Sequence, residues 1–72
     1  MTQTAPVDLL RLSDVKRRTG LGRSTIYRLA SDPHGHFPRP IRITGTTISA
    51  WSSVEVDAWI AIQLNSNRKE LP

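Results

Sequence analysis

The residues with the most evident chemistry are Arg-Ser-Thr-Ile-Tyr-Arg-Leu at positions 23–29, which combine two guanidinium groups with three hydroxyls. At the helical rotation of about 100° per residue, Ile26 lies on one side, and Ser24 and Arg28 lie roughly opposite. One face can therefore be buried while the other presents donors to phosphates and base edges. The run follows Gly-Leu-Gly at 20–22. A short helix entered through a glycine-bearing turn is typical of a helix-turn-helix.

The charge of the chain is concentrated around this run. The whole chain carries a net charge of +4, but residues 16–42 hold seven cations against one acid, Asp32, which is a local net charge of +6. A concentrated basic field attracts a polyanion such as nucleic acid and speeds the encounter with it. The alternative is a solvated basic surface that only keeps the protein soluble, and charge by itself favours neither.

Other residues that could carry chemistry form weak patterns. His34 and His36 share a loop without a third ligand, so we predict no metal site. Glu55 and Asp57 suit a helix cap and a surface position, and Ser, His and Asp nowhere show the spacing of a nucleophile arrangement. With 72 residues and no cysteine, the chain is expected to form one small domain, not an enzyme, with no cofactor and no small-molecule ligand. We also expect no membrane span or signal peptide, and a cytoplasmic location.

Two helices are predicted in the first half of the chain. The first is expected at residues 14–19, with Ser13 as its N-cap and Gly20 as the residue that ends it. The second is expected from residue 22 or 23 to a position before Pro33, because the residue that precedes a proline resists the helical conformation. These two helices and the turn between them form the predicted helix-turn-helix.

A β-hairpin is predicted after a proline-rich loop. Residues 41–43 alternate as a strand does, residues 44–46 form a glycine-bearing turn, and residues 47–51 return as the second strand. A hairpin placed directly after a helix-turn-helix indicates a wing. Residues 9–12 are expected to be an extended lead-in that packs against the domain.

A third helix is predicted to open with a capping box, in which Ser52 is the N-cap and Glu55 is the third helical residue. Both tryptophans, Trp51 and Trp59, are expected in the core rather than as stacking platforms for bases. Residues 65–72 are polar and without periodicity, so a disordered tail is expected. A core-facing stripe follows from the helical spacing of Val56, Trp59, Ile60 and Leu64.

Four motifs in this order indicate a family: Leu-Ser-Asp-Val at 12–15, Thr-Gly-Leu-Gly-Arg-Ser-Thr-Ile-Tyr-Arg-Leu at 19–29, Phe-Pro-Arg-Pro at 37–40, and Trp-Ser-Ser-Val-Glu-Val-Asp-Ala-Trp-Ile at 51–60. They closely resemble the AlpA-type family of small phage and prophage DNA-binding proteins, over residues 9–64. The resemblance implies an α+β fold, a MerR-like winged helix-turn-helix of three short helices and a two-stranded hairpin wing. Residues 1–8 would then be a flexible leader.

The resemblance implies a recognition helix that enters the DNA major groove. Its contact residues would be Arg23, Ser24, Thr25, Tyr27 and Arg28. Arg28 is the candidate for reading a guanine edge, and Arg23, at the helix start, is better placed for a phosphate. Further contacts from the first helix and from the wing side would come from Arg18, Arg39, Arg42, Gly45 and Thr46.

The chain departs from the pattern of this family at two places. Gly22 stands where a serine usually precedes the recognition arginine, so the N-cap of that helix has no side chain. The wing tip at 44–47 lacks the arginine or lysine often found there. Hydroxyl and Gly45 N–H contacts to phosphate are therefore expected at the wing tip in place of deep minor-groove contacts.

The leading hypothesis for function is a sequence-specific excisionase, also called a recombination directionality factor. It would bind and bend duplex DNA near an attachment site, while a partner phage integrase carries out the recombination chemistry. The alternative within the same family is a small transcriptional regulator of an integrase or a neighbouring operon. A third hypothesis is a protein-interaction module whose basic face contacts an acidic partner. Further copies of the chain on adjacent sites would be additional partners, and the place of action would be DNA in a bacterial host.

Overall fold

Three helices and a three-stranded antiparallel sheet make up the fold in the computed structural model, which describes residues 6–67. This architecture confirms the predicted α+β winged helix-turn-helix. In chain order the elements are β1 (Leu9–Leu10), α1 (Leu12–Thr19), α2 (Arg23–Ser31), β2 (Ile41–Arg42), β3 (Ser49–Ser52) and α3 (Ser53–Asn67).

The sheet contains a strand that the sequence pattern did not reveal. Its order is β1-β3-β2, so β3 lies in the centre and pairs with both neighbours. Leu10 pairs with Trp51, and Ile41 pairs with Ala50. The predicted extended lead-in is thus β1, and the hairpin of two strands becomes a sheet of three. Two residues carry too little periodicity to indicate a strand, and β1 exists only because β3 is there to pair with it.

The turn between β2 and β3 is longer than predicted. Gly45 takes a positive φ of 81°, which glycine adopts without strain. The Thr46 hydroxyl donates to the Ile43 carbonyl over 2.8 Å and accepts from the Ile48 N–H over 3.0 Å. These bonds keep Thr47 and Ile48 in the turn, so the returning strand begins at Ser49 rather than at residue 47.

Helix α1 begins at Leu12, so the prediction of Ser13 as N-cap is wrong. Arg11 is the N-cap, and its carbonyl accepts from the N–H groups of Asp14 and Val15 over 3.0 and 3.1 Å. The Asp14 carboxylate in turn accepts from the Arg11 main-chain N–H over 3.2 Å. The carboxylate at the third helical position thus reaches back to the cap, and this bond sets the start of the helix one turn before Val15.

The turn between α1 and α2 follows its predicted course. Gly20 has a positive φ of 75° and donates its N–H to the Lys16 carbonyl over 2.8 Å, which ends α1 as expected. The Thr19 hydroxyl accepts from the Leu21 N–H over 3.2 Å. Gly22 caps α2 through its main chain, since its carbonyl accepts from a helical N–H over 3.0 Å and no side chain contributes.

The core is built from one large side chain of each main element. Val15 of α1, Ile26 of α2, Trp51 of β3 and Val56 of α3 are all fully buried. Trp51 also donates its indole N–H to the Pro38 carbonyl over 3.1 Å. The helix-turn-helix, the sheet and α3 therefore share a single core, and Trp51 lies in it as predicted.

Trp59 of α3 is partly buried, and it packs against the loop before β2. Its ring meets that of Phe37 edge to face, with 4.8 Å between the ring centroids. Phe37 itself is buried, so the loop is anchored under α3. Both tryptophans thus pack on the core as predicted.

The start of α3 is fixed by two serines. The Ser52 hydroxyl accepts from the Glu55 N–H over 3.4 Å, in keeping with the predicted N-cap. The next residue, Ser53, is buried and exchanges two hydrogen bonds with Asp8, of 2.8 and 2.9 Å. Asp8 is therefore held against α3 and does not belong to a flexible leader. Residues 1–5 of that predicted leader lie outside the described residues.

Burial decreases along α3, so the predicted stripe is only partly in the core. Val56 is fully buried and Trp59 and Ile60 are partly buried, but Leu64 is 51% exposed. Ile62, on another side of the helix, is 55% exposed. The core-facing assignment of Leu64 is wrong because the last turns of α3 extend beyond the elements that it packs on.

The end of α3 also differs from the prediction. The helix continues through Asn67, whose side-chain amide donates to the carbonyl and side-chain oxygens of Gln63, both over 3.1 Å. Residues 65–67 are thus helical and not part of a disordered tail. Residues 68–72, the remainder of that predicted tail, lie outside the described residues.

The Asp14 cap yields a pH-dependent prediction. Its bond from the Arg11 N–H, reinforced by the Arg17 guanidinium, holds the pKa of the Asp14 carboxyl below its ordinary value. A carboxylate of this kind stabilises the fold above its unfolded-state pKa, and the effect is lost as pH falls through the lowered pKa. We expect Asp14→Asn to lower the Tm at neutral pH, and the difference from wild type to vanish in strong acid, as followed by circular dichroism.

Ser13→Ala is the matched control for this cap. Because Ser13 lies inside α1 and does not cap it, its substitution should leave the Tm nearly unchanged. A loss of about 1 kcal/mol on Ser13→Ala, the usual effect of removing an N-cap, together with an unchanged Asp14→Asn variant, would contradict the observed cap.

Candidate nucleic-acid interface

Helix α2 presents a polar face because its apolar side is held in the core. Ile26 is fully buried and Ala30 is 7% exposed, whereas Ser24 and Arg28 are exposed on the opposite side. Thr25 is partly buried at the border of the two faces. The division predicted from the helical period is therefore the one that packing produces.

Tyr27 joins the polar face of α2 to the core. Its ring lies 5.9 Å from the Trp51 ring, at an interplanar angle of 59°. The Arg23 guanidinium lies 5.9 Å from the Tyr27 ring centroid on the same helix. Contacts of this kind between a cation and an aromatic face are attractive. Tyr27 is thus more than a hydroxyl donor. Its ring packs against the fully buried Trp51 and also contacts the Arg23 guanidinium.

The arginines of α1 are engaged with acids. Arg17 pairs with Asp14 and Arg18 pairs with Asp57 of α3, each over 2.8 Å. The family resemblance implied a DNA contact for Arg18, whereas the structure joins its guanidinium to Asp57 of α3. Exposed pairs of this kind contribute little to stability, but they reduce the charge that these two arginines offer to a ligand. Lys16 is exposed on the same helix.

The predicted contacts on the wing side are dispersed. Arg42 is exposed on the edge strand β2, and Gly45 is exposed at the wing tip. The Thr46 hydroxyl is already used twice within the turn. Arg39 lines a groove with Glu55 and other residues of α3.

A cleft beside α2 contains residues that the sequence analysis did not select. It lies between the start of α1, the middle of α2 and the turn that leads into β3. The lining residues are Arg11, Leu12, Ser13, Tyr27, Thr47, Ile48 and Ser49. Tyr27 among them was predicted as a site residue, and Thr47 belongs to the wing tip whose hydroxyls were expected to contact phosphate. The alternation Leu-Arg-Leu at 10–12 was a signal that Arg11 is exposed, but nothing local to the sequence places it next to the turn.

The described part of the chain offers no metal site and no membrane-spanning helix. Within residues 6–67, no three His, Cys, Asp or Glu side chains come together as metal ligands would. None of the helices in that range combines the length and apolarity needed to cross a bilayer.

Variants at Tyr27 test the role of its ring. Tyr27→Phe keeps the ring on Trp51, so its free energy of unfolding should stay within about 0.5 kcal/mol of wild type. Tyr27→Ala removes the aromatic contact and should cost about 1 to 2 kcal/mol. Urea unfolding followed by tryptophan fluorescence measures both, and a Tyr27→Ala protein as stable as wild type would show that the ring does not support this helix.

Comparisons with known proteins agree with the motifs. A family model described as "Prophage CP4-57 regulatory protein (AlpA)" matches residues 8–64. The chain is also 37% identical, over 60 residues, to the uncharacterized protein ORF88 of Enterobacteria phage P4. That match covers 83% of this chain but 65% of the phage protein, just under two thirds of its length. No solved structure matches the chain. On the family match and the motifs together, the chain belongs to the AlpA family of prophage regulatory proteins.

Proposed function

We propose that this protein binds duplex DNA in a sequence-specific way by inserting α2 into the major groove. The observation that carries the proposal is the division of α2, whose Ile26 side is buried while Ser24 and Arg28 are exposed. A helix held rigidly by its apolar side can present its polar side to base edges without further folding. Its place of action would be the DNA in the cytoplasm of a bacterial host.

The proposed contacts divide by chemistry. Arg28, with Ser24 and Thr25 nearby, would contact base edges, since a guanidinium addresses a guanine through two parallel hydrogen bonds. Arg23 would contact a phosphate from its position over the Tyr27 ring. Backbone contacts from the wing side would come from Arg42, Gly45, Thr46 and Arg39. Arg18 would join them by exchanging Asp57 for a phosphate.

The role we put forward is that of an excisionase, in which binding and bending near an attachment site help an integrase assemble the excision complex. The recombination chemistry would belong to the integrase, and this protein would not be an enzyme. The described part of α3 leaves apolar side chains uncovered, including Val54, Ile62 and Leu64. Uncovered apolar surface supports contact with a protein partner, either the integrase or a further copy of this chain on an adjacent site.

A transcriptional regulator is the second candidate function. The observation that favours it is the description of the matching family as a prophage regulatory protein. The same α2 contacts would serve this role, and the difference would lie in the position of the DNA site.

Capture of genomic DNA separates the two roles. The protein would be incubated with sheared DNA from its source genome, and the bound fragments would be sequenced, with the Arg28→Ala variant as control. Clustered sites beside an integrase attachment site support excision, whereas a single site that overlaps a promoter supports regulation. Equal recovery of all fragments by both proteins would contradict sequence-specific binding.

Salt dependence tests whether the ligand is DNA at all. About four to six phosphate contacts predict that the logarithm of the association constant falls with the logarithm of salt concentration, with a slope of about −4 to −5. Fluorescence anisotropy with a labelled duplex at several salt concentrations measures the slope. An affinity that did not change with salt would argue against the nucleic-acid interface.

Arg28→Ala tests the assignment of base reading. The loss of a bidentate contact should cost about 1 to 3 kcal/mol at the preferred site and little on unrelated duplexes. Competition binding between enriched and unrelated fragments measures this difference. If the variant lost the same affinity for every duplex, Arg28 would be a phosphate contact.

A further inference from the structure

The cleft beside α2 has the lining of an anion site. Five of its lining residues, from three separate parts of the chain, carry one guanidinium and four hydroxyls between them: Arg11, Ser13, Tyr27, Thr47 and Ser49. No carboxylate is among its lining residues. A group that accepts several hydrogen bonds and carries negative charge is the ligand that such a lining suits.

Within the part of the chain that the structure describes, no other protein group uses these donors. Among residues 6–67, none of the four hydroxyls forms a hydrogen bond with another protein group, and the Arg11 guanidinium has no acid within ion-pair distance. Two acids lie three positions from Arg11 in the sequence, Asp8 and Asp14. Asp14 is occupied by the Arg17 guanidinium and by the main-chain N–H of Arg11, and no ion pair joins Asp8 to Arg11. As far as residues 6–67 are concerned, the cleft therefore combines open donors with a positive charge that no acid opposes.

The position of the cleft indicates where the anion comes from. Tyr27 belongs both to the cleft and to α2, one helical turn after Arg23, whose guanidinium lies over its ring. A helix in the major groove is flanked by the two phosphate backbones, so a cleft at its edge faces one of them. The turn between β2 and β3, here called the wing turn, forms the opposite wall of the cleft. It would contact the same DNA strand.

We propose that this cleft binds one backbone phosphate of duplex DNA, with Arg11 as its cation and the hydroxyls of Thr47 and Ser49 as donors from the wing turn. The inference rests on the proposed function and deepens it, because it adds a phosphate contact outside α2. That contact would fix the position of α2 relative to one DNA strand. Free phosphate has the same chemistry, and the experiment distinguishes the two sources.

The variants are chosen so that the fold is retained. Arg11 caps α1 through its main chain, so Arg11→Ala removes the cation and leaves the cap. Arg17→Ala is the matched control, since it removes the same charge from an exposed position that does not line the cleft. The double variant Thr47→Val, Ser49→Ala removes two donors without changing the charge. Thermal unfolding of each variant confirms that it is folded.

Anisotropy titrations with one labelled duplex compare these proteins across salt concentrations. Arg11→Ala should weaken binding about tenfold and reduce the salt slope by about 1, as expected for one phosphate contact. The double variant should weaken binding with little change in slope, because no charge is lost. If Arg11→Ala behaved no differently from Arg17→Ala, the cleft would hold no phosphate, although the proposed function would stand. A wild-type protein that did not bind the duplex would overturn both.

Single neutral methylphosphonate linkages, placed in turn along a duplex from an enriched fragment, locate the contact. At one or two positions, the neutral linkage should weaken DNA binding by the wild-type protein and cause no further loss of binding by Arg11→Ala. Equal losses for both proteins at every position would overturn the inference. Titration of the protein alone with inorganic phosphate, followed by the amide signals of Thr47 and Ser49, tests the other source. Saturation at low phosphate concentration, with unchanged DNA binding by Arg11→Ala, would assign the cleft to the free ion.

Discussion

The burial of Trp51 in the central strand is the contact on which the other elements depend. Its main chain pairs with Leu10 of β1, its indole N–H is bonded to the Pro38 carbonyl, and its ring lies against Tyr27 of α2. One residue thus joins the sheet, the proline-rich loop and α2. A domain of this size has a small margin of stability, so the position of α2 is only as well defined as the packing around this ring.

The same packing explains why the polar face of α2 stays exposed to solvent. Ile26 takes up the apolar side of the helix, and the glycine N-cap at Gly22 adds no side chain in front of its first turn. Tyr27 lies between the two faces and carries Arg23 on its ring. One aromatic ring therefore connects the buried core to the charged group of Arg23.

The fold determines which arginines face an acid and which do not. Arg17 and Arg18, which the composition counts in the basic field, each face an acid, and one of these pairs joins α1 to α3. Arg11, outside that stretch of the sequence, lines the cleft beside α2. The positive charge of residues 16–42 that is left without an acid partner in the described residues is therefore smaller than the local net charge of the sequence, and Arg11 adds a charge beside α2.

The sequence by itself determined the features that depend on near neighbours along the chain: the amphipathic period of α2, the Gly20 turn, the Ser52 cap and the motifs of the family. These follow from residues within one or two helical turns, whose spacing is visible in the printed sequence. Tertiary structure decided the pairing of β1, the bond between Asp8 and Ser53, the Arg18–Asp57 pair and the cleft between Arg11 and Ser49. Such contacts join residues more than thirty positions apart, and they form only when the core closes and brings the elements together. Local periodicity does not report these long-range contacts, which is why α2 and its two faces could be predicted and the surroundings of the helix could not.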